Sequence, residues 1–175
     1  KVVLSWAPHP KALPHAVANS FVQMMKLQNA DFVITHPKGY ELDPKVSQGC
    51  TIEYDQNKAL KDVNQIWGSE VNLYMPSMYA GTTDLVGQYK GNDCIMDFKQ
   101  TNKPKKEEWV IDYYLQLVAY AEAHNEIYGT NIKEGHVFMC SRELQYQQFD
   151  VWPHEYDEWR EEWYKRLYTY YDKHF

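Results

Sequence analysis

The residues best suited to chemistry lie in the second half of the chain, in three short clusters: Gly81-Thr82-Thr83-Asp84, then Asp97-Phe98-Lys99, then Gln116 with Tyr120. Asp84 and Asp97 are thirteen residues apart, with the turn-forming Gly91-Asn92-Asp93 between them. If the stretches on either side of that turn are strands, the two carboxylates meet at one spot from neighbouring strands. Carboxylates at one spot repel, and a hard divalent cation relieves the repulsion, so the expected cofactor is Mg²⁺ or Mn²⁺. Lys99 is two residues beyond Asp97 and faces the same side of a strand. Its ammonium can hold a water or a phosphate beside the ion. A water acidified by a metal, held in line with a phosphodiester, is the chemistry of metal-dependent hydrolysis. Gln116 and Tyr120 stand one helical turn apart and can offer amide and phenolic groups to phosphate oxygens. Singly, each has a plainer reading: Asp84 as a turn cap, Lys99 as a strand-end charge, Gln116 as a surface amide, Tyr120 as core. Their joint order on strand, strand and helix is what favours chemistry.

Those elements follow from periodicity. Residues 70–75 alternate apolar and polar, 81–90 read as a strand, and CIMDF at 94–98 is the most apolar strand of this half. Short turns separate the three, which predicts an antiparallel meander. Residues 107–128 predict a long helix with Trp109, Tyr113, Gln116, Leu117, Tyr120, Ala123 and Ile127 along one face, ended by Gly129. Residues 135–140 and 144–151 predict two more strands. After Pro153 a final helix over 154–172 carries a core stripe of Tyr156, Trp159, Trp163, Leu167 and Tyr170. The first third differs. Strands at 1–6, 31–35 and 51–54, a helix over 15–28 facing the core with Val17, Phe21, Met24, Met25 and Gln28, mostly loop at 36–50 and a short helix at 56–63 form a β-α-β-α pattern. That is the pattern of a parallel open sheet. The fold class is therefore α/β.

Composition narrows the function. The chain has 175 residues, 44% hydrophobic and 24% charged, which is ordinary for a globular protein. Residues 1–66 carry seven lysines against six carboxylates; residues 67–175 carry eleven basic residues against eighteen. So acidic a chain does not coat nucleic acid by bulk charge, although an enzyme can meet a phosphate backbone through a metal and one basic patch. Lys99, Lys103, Lys105 and Lys106 form the local basic cluster of the acidic half. The three cysteines are widely spaced, which argues against a disulfide framework or zinc knuckle and for a reducing compartment. No apolar run is long enough for a membrane span, and no leader-like stretch follows Lys1. The expected location is the cytoplasm, with no membrane partner.

The segments GTTDLV, CIMDFKQTNK and YYLQLVAYAEAHNEIYG resemble the PD-(D/E)xK nuclease superfamily, in its RecB-type exonuclease branch and especially phage-encoded members. The resemblance covers about residues 66–175. It implies a restriction-endonuclease-like αβββαβ core, a mixed sheet flanked by helices, and a Mg²⁺-dependent exonuclease acting on DNA. It also implies roles: Asp84 and Asp97 binding metal, Lys99 catalytic, Gln116 and Tyr120 supporting the site. The Phe98 backbone carbonyl is a further expected ligand, and Glu70 is the nearest candidate for the upstream glutamate of many relatives. Gln100 stands where the family commonly has threonine, and the family's usual N-terminal helices are missing.

Residues 1 to about 63 resemble something else: KVVLSWAPHPKALPHAVANSFVQMM, DFVITHPKGYELDPKV and IEYDQNKAL are similar to N-succinylornithine and N-acetylornithine carbamoyltransferases. By that resemblance His9, Pro10, Asn19 and Ser20 belong to an acylornithine-side region. The family's Ser-x-Arg-Thr phosphate loop is absent, and no arginine precedes Arg142. The chain thus reads as a βαβ Rossmann-like fragment, 1–65, joined near 64–68 to a nuclease-like domain, 66–175. A natural fusion, a shuffled gene and an assembly artefact are all compatible with such a join. The alternatives to a nuclease are an acylornithine-binding fragment without complete catalysis, or a nuclease-fold binding module with an idle site. A short parallel fragment leaves apolar edges, so it is expected to pack on the nuclease core or to form a homo-oligomer.

Overall fold

The computed structural model describes residues 2–5, 15–29, 31–60, 62–142 and 145–175. It divides into two units, Lys1–Asp62 and Val63–Phe175, a division slightly upstream of the expected join. His9 and Pro10 lie outside the described residues.

In the first unit, β1 (Val2–Ser5), β2 (Phe32–Thr35) and β3 (Thr51–Glu53) form a parallel sheet in that order. α1 (Ala16–Leu27) links the first two, α2 (Pro44–Ser47) precedes the third and α3 (Gln56–Ala59) follows it. Residues 36–50, expected to be mostly loop, thus include one helical turn. Asp43 caps it by accepting from Lys45 N at 2.8 Å, with Pro44 in the first helical position. The buried face of α1 is offset from the expected one: Ala18, Val22 and Met25 are buried, Phe21 only partly, and Met24 is 42% exposed. Both sets have helical spacing, and packing selected the one whose smaller members let the helix approach. Ala18 and Val22 cluster with Ile34 and Leu42.

The second unit opens with β4 (Val63–Met75), β5 (Tyr79–Tyr89) and β6 (Asn92–Thr101), an antiparallel meander. A 3-10 turn, Glu107–Trp109, leads into α4 (Ile111–Tyr128). β7 (Gly135–Ser141) then pairs parallel with β6, and β8 (Tyr146–Val151) pairs antiparallel with β7. α5 (Tyr156–His174) closes the unit. The sheet is mixed, in the order β4-β5-β6-β7-β8. The order of elements is β-β-β-α-β-β-α, so the helix that opens an αβββαβ core is not part of this unit among the described residues.

Two features of this unit matter for the site. β4 begins seven residues earlier than its alternation shows, because register shifts at Val63/Gln65 and Ile66/Gly68 break the period. Gly87 makes that irregularity possible: a Cβ there would stand 2.0 Å from the Gln65 carbonyl oxygen. α4 is buried more broadly than one stripe, through Tyr114, Leu115, Leu117, Val118, Ala119, Ala121, Ala123 and His124, because it packs on the sheet and on α5. Trp109, expected on its buried face, lies in the preceding turn and is 57% exposed. Tyr170, expected in the stripe of α5, is 53% exposed and stacks on His174. Gly129 ends α4 in the left-handed region at φ 66°. Among the described residues no helix is long and apolar enough to cross a membrane, and Cys50, Cys94 and Cys140 are free.

Candidate active site

β5 and β6 pair through Leu85–Met96, and the next position in that register sets Asp84 opposite Asp97. The formal ladder stops there. Asp84 takes over the pairing with its side chain: Oδ2 accepts from the Phe98 amide at 2.8 Å. This brings the Phe98 main chain against the Asp84 carboxylate, while the Phe98 ring is 54% exposed. Asp97 is 2% exposed. Its Oδ2 has no hydrogen-bond partner but meets Lys99 Nζ at 2.6 Å as an ion pair. Burial raises the pKa of the Asp97 carboxyl, Lys99 opposes the rise, and Asp84 adds to it; the net direction is upward. The structure thus brings Asp84, Asp97 and Lys99 together, with one carboxylate desolvated and under-compensated.

Glu70 is not part of this group. It falls between the pairs Ser69–Leu85 and Val71–Thr83, opposite Asp84, but its backbone is left-handed at φ 51° and its side chain is exposed. Among the described residues no three or more His, Cys, Asp or Glu gather as a metal cluster. The donor set is therefore two carboxylates, with the main chain beside them. That fits Mg²⁺ or Mn²⁺, which is commonly held by one or two carboxylates and completed by waters and substrate phosphate. The observation in favour is the burial of the Asp97 carboxylate beside Asp84: the Lys99 ammonium at 2.6 Å offsets its charge, yet its pKa still stands above the ordinary value.

Gln116 and Tyr120 face β5 from α4. Gln116 Nε2 donates to the Tyr120 hydroxyl at 3.1 Å. A Cβ on Gly81 would stand 2.7 Å from Tyr120 Cε1, so the bare backbone at Gly81 is what lets the ring lie there, three residues before Asp84. Both side chains line an open groove of about 390 Å³ with Tyr79, Asp112, Trp163 and Arg166. Arg166 Nη1 donates to Asp112 at 2.8 Å and its Nε to Glu162 at 2.9 Å. The periodicity of the last helix places Trp163 in a core stripe, whose exposed members could stack on bases, and gives Arg166 no role. The long separation of Asp112 from Arg166 left no local signal.

A buried polar network with no periodic signature lies on the other strands. His136 is fully buried; its Nδ1 lies 2.7 Å from Asp150 Oδ1 and its Nε2 3.0 Å from Glu134 Oε1. Burial would raise Asp150, but hydrogen bonds from His136 and Gln148 outweigh it and hold its carboxyl below the ordinary range. Burial pushes the nearby Cys94 thiol up to about 12, which removes it as a nucleophile at neutral pH.

No family model matches the chain. It is similar to N-succinylornithine carbamoyltransferase of Bacteroides fragilis, 48% identical over 79 residues, covering 45% of this chain and 25% of that protein. The enzyme of the same name in Bacteroides thetaiotaomicron is 47% identical over 79 residues, with the same coverage. It is also similar to human mitochondrial genome maintenance exonuclease 1, 32% identical over 112 residues, covering 62% of this chain and 32% of that protein. The chain spans about a quarter to a third of the length of these curated relatives. The matched shares of this chain add to more than the whole, so the carbamoyltransferase and exonuclease stretches overlap.

Proposed function

We propose that the second unit is a PD-(D/E)xK-type nuclease with a restriction-endonuclease-like core, hydrolysing phosphodiester bonds of DNA with Mg²⁺ or Mn²⁺ and working from strand ends. The observation that carries this reading is the meeting of Asp84, Asp97 and Lys99 at the point where β5 and β6 part. The partial similarity to an exonuclease supports it. Asp84, Asp97 and the Phe98 backbone carbonyl would hold the ion. Bound there, a divalent cation supplies an acidified water and a polarised phosphoryl oxygen.

The chain's own residues do the rest. Asp97 presents a carboxylate that burial has stripped of water, so a cation's charge is felt strongly there. Lys99 compensates that charge in the resting protein. With the site filled, its ammonium would be placed to hold a phosphate oxygen or the attacking water. The Phe98 amide fixes the Asp84 carboxylate. Tyr120 accepts from Gln116 and keeps its own proton to donate to a phosphate oxygen.

Labelled linear DNA incubated with Mg²⁺ tests the reading. Asp97→Ala and Lys99→Ala should each lower the cleavage rate by about a hundredfold or more, and chelator should abolish it. Equal cutting by the variants, or cutting indifferent to chelator, overturns it.

The 48% identity over 79 residues to a carbamoyltransferase favours a second reading, an acylornithine-binding fragment without complete catalysis. Calorimetric titration of the full chain with N-succinylornithine tests it; the absence of heat at millimolar ligand rejects it.

A further inference from the structure

The basic loop after β6 is built as a platform and not as a loose surface segment. Thr101 Oγ1 donates to the Lys103 carbonyl at 2.8 Å. Pro104 stiffens the next step. Gln147 then clamps Lys105 on both sides: Lys105 N donates to Gln147 Oε1 at 2.7 Å, and Gln147 Nε2 donates to the Lys105 carbonyl at 2.8 Å. A side-chain amide from β8 therefore pairs with this loop as a strand would.

What the clamp presents is an alternation of cations and rings that starts at the candidate site. Lys99 Nζ and Lys105 Nζ lie 5.5 and 5.6 Å from the centroid of the same ring, Tyr113, so the two ammonium groups are no more than about 11 Å apart. Lys106 Nζ lies 5.4 Å from the Trp109 ring, which is 57% exposed. The counter-charges on this strip are Glu107, which accepts from the Tyr114 hydroxyl at 3.4 Å, and Glu108, which meets Lys106 at 3.7 Å with both side chains mostly exposed, a pair that exchanges readily. An exposed indole has an apolar face to cover, and lysines beside it attract anions spaced along a polymer. Single-stranded nucleic acid offers both, because its bases have free faces and its backbone runs alongside them. A duplex hides its base faces.

We propose that residues 102–110 form the binding track for an unpaired polynucleotide strand, with Trp109 stacking on a base, Lys105 and Lys106 on phosphates, and Tyr113 with Lys99 leading the strand to Asp97. The track rests on the nuclease reading for what lies at its end, but strand binding and strand cleavage are separable.

Binding is measured on the full chain by fluorescence anisotropy, in chelator so that nothing is cut, with labelled oligothymidine, oligouridine and a hairpin duplex. Trp109→Ala should weaken oligothymidine binding by about tenfold, and Trp109→Phe should restore most of it. Lys105→Gln/Lys106→Gln should flatten the dependence of log affinity on log salt by about 1.4, the value for two phosphate contacts on a single strand. The duplex should bind more weakly than the single strand. The oligouridine arm tells RNA from DNA as the strand. The track is overturned if the parent binds neither polymer, if neither responds to Trp109→Ala, or if the duplex binds as tightly. Loss of binding in the variants of a parent that fails to cut would keep the track and sink the nuclease; unchanged binding in the variants of a parent that cuts would do the reverse.

Discussion

Replacing Asp97 by asparagine should make the protein more stable at neutral pH while ending its activity. Asp97 is buried, one of its oxygens has no hydrogen bond, and Asp84 sits beside it. Its raised pKa means that the folded chain holds the proton more tightly than the unfolded chain does. The associated stability is complete below about pH 4, the unfolded value, and is lost as pH rises through the raised folded value. At pH 7 the ionised group is therefore a net cost. Asparagine keeps the shape and removes the charge. It also removes the ion pair with Lys99, but the Lys99 side chain is 25% exposed and its ammonium can reach water. The raised pKa already nets the Lys99 pair against burial and Asp84, so at pH 7 the neutral amide is favoured over the carboxylate. Each kcal/mol so gained would raise the melting temperature by about 4–8 °C for a unit near this size. Thermal melts of parent and Asp97→Asn at pH 4 and pH 7, with and without Mg²⁺, give the result. The variant should melt higher at pH 7 and equally at pH 4. Mg²⁺ should raise the parent, by about 1.4 kcal/mol at ten times its dissociation constant, and leave the variant unmoved. A variant that melts lower than the parent at pH 7, with the same deficit at pH 4, would refute the claim that this carboxylate is held at a cost.

Gly87→Ala should destabilise the second unit by about 3 kcal/mol or more, read from urea denaturation, because its Cβ meets the backbone oxygen of Gln65 at 2.0 Å and not a side chain that can swing away. Gly81→Ala meets only the Tyr120 ring, so it should cost about 1–2 kcal/mol in stability yet slow DNA cleavage about tenfold by displacing that ring; unchanged cleavage would remove Tyr120 from the site. His136→Leu leaves Glu134 and Asp150 without their shared partner and should cost about 3 kcal/mol at pH 7. The loss should shrink as pH falls and Asp150, whose pKa the His136 hydrogen bond helps to lower, takes up its proton, and a loss independent of pH would contradict the network.

What could be read from the chain was whatever a short period or a turn encodes. The Gly91-Asn92-Asp93 turn between two strands predicts a meander, and the two-residue step from Asp97 to Lys99 predicts one face; the pair is found at 2.6 Å. The four-residue step from Gln116 to Tyr120 likewise predicts the hydrogen bond seen at 3.1 Å. Features that packing decides were not readable. α1 has apolar residues on two adjoining faces, and only its sheet could choose Ala18, Val22 and Met25. The first half of β4 hides behind bulges that erase alternation. Glu70 matches a metal ligand by position in the sequence, and register alone would place it at the site, but it has a positive φ and an exposed side chain, and among the described residues no third carboxylate clusters with Asp84 and Asp97. His136 draws its partners from Glu134 and Asp150, and Lys105 is held by Gln147 forty-two residues away. Such long-range amide and carboxylate pairings leave no periodic trace.

The binding of a divalent ion tests the central claim most directly. Titration of the full chain with Mn²⁺, followed by the loss of its free-ion paramagnetic resonance signal, should show a site that Mg²⁺ displaces. Asp84→Asn and Asp97→Asn should each abolish that site, while Glu70→Gln should leave it intact. Mn²⁺ uptake that is the same in all four proteins would contradict the account.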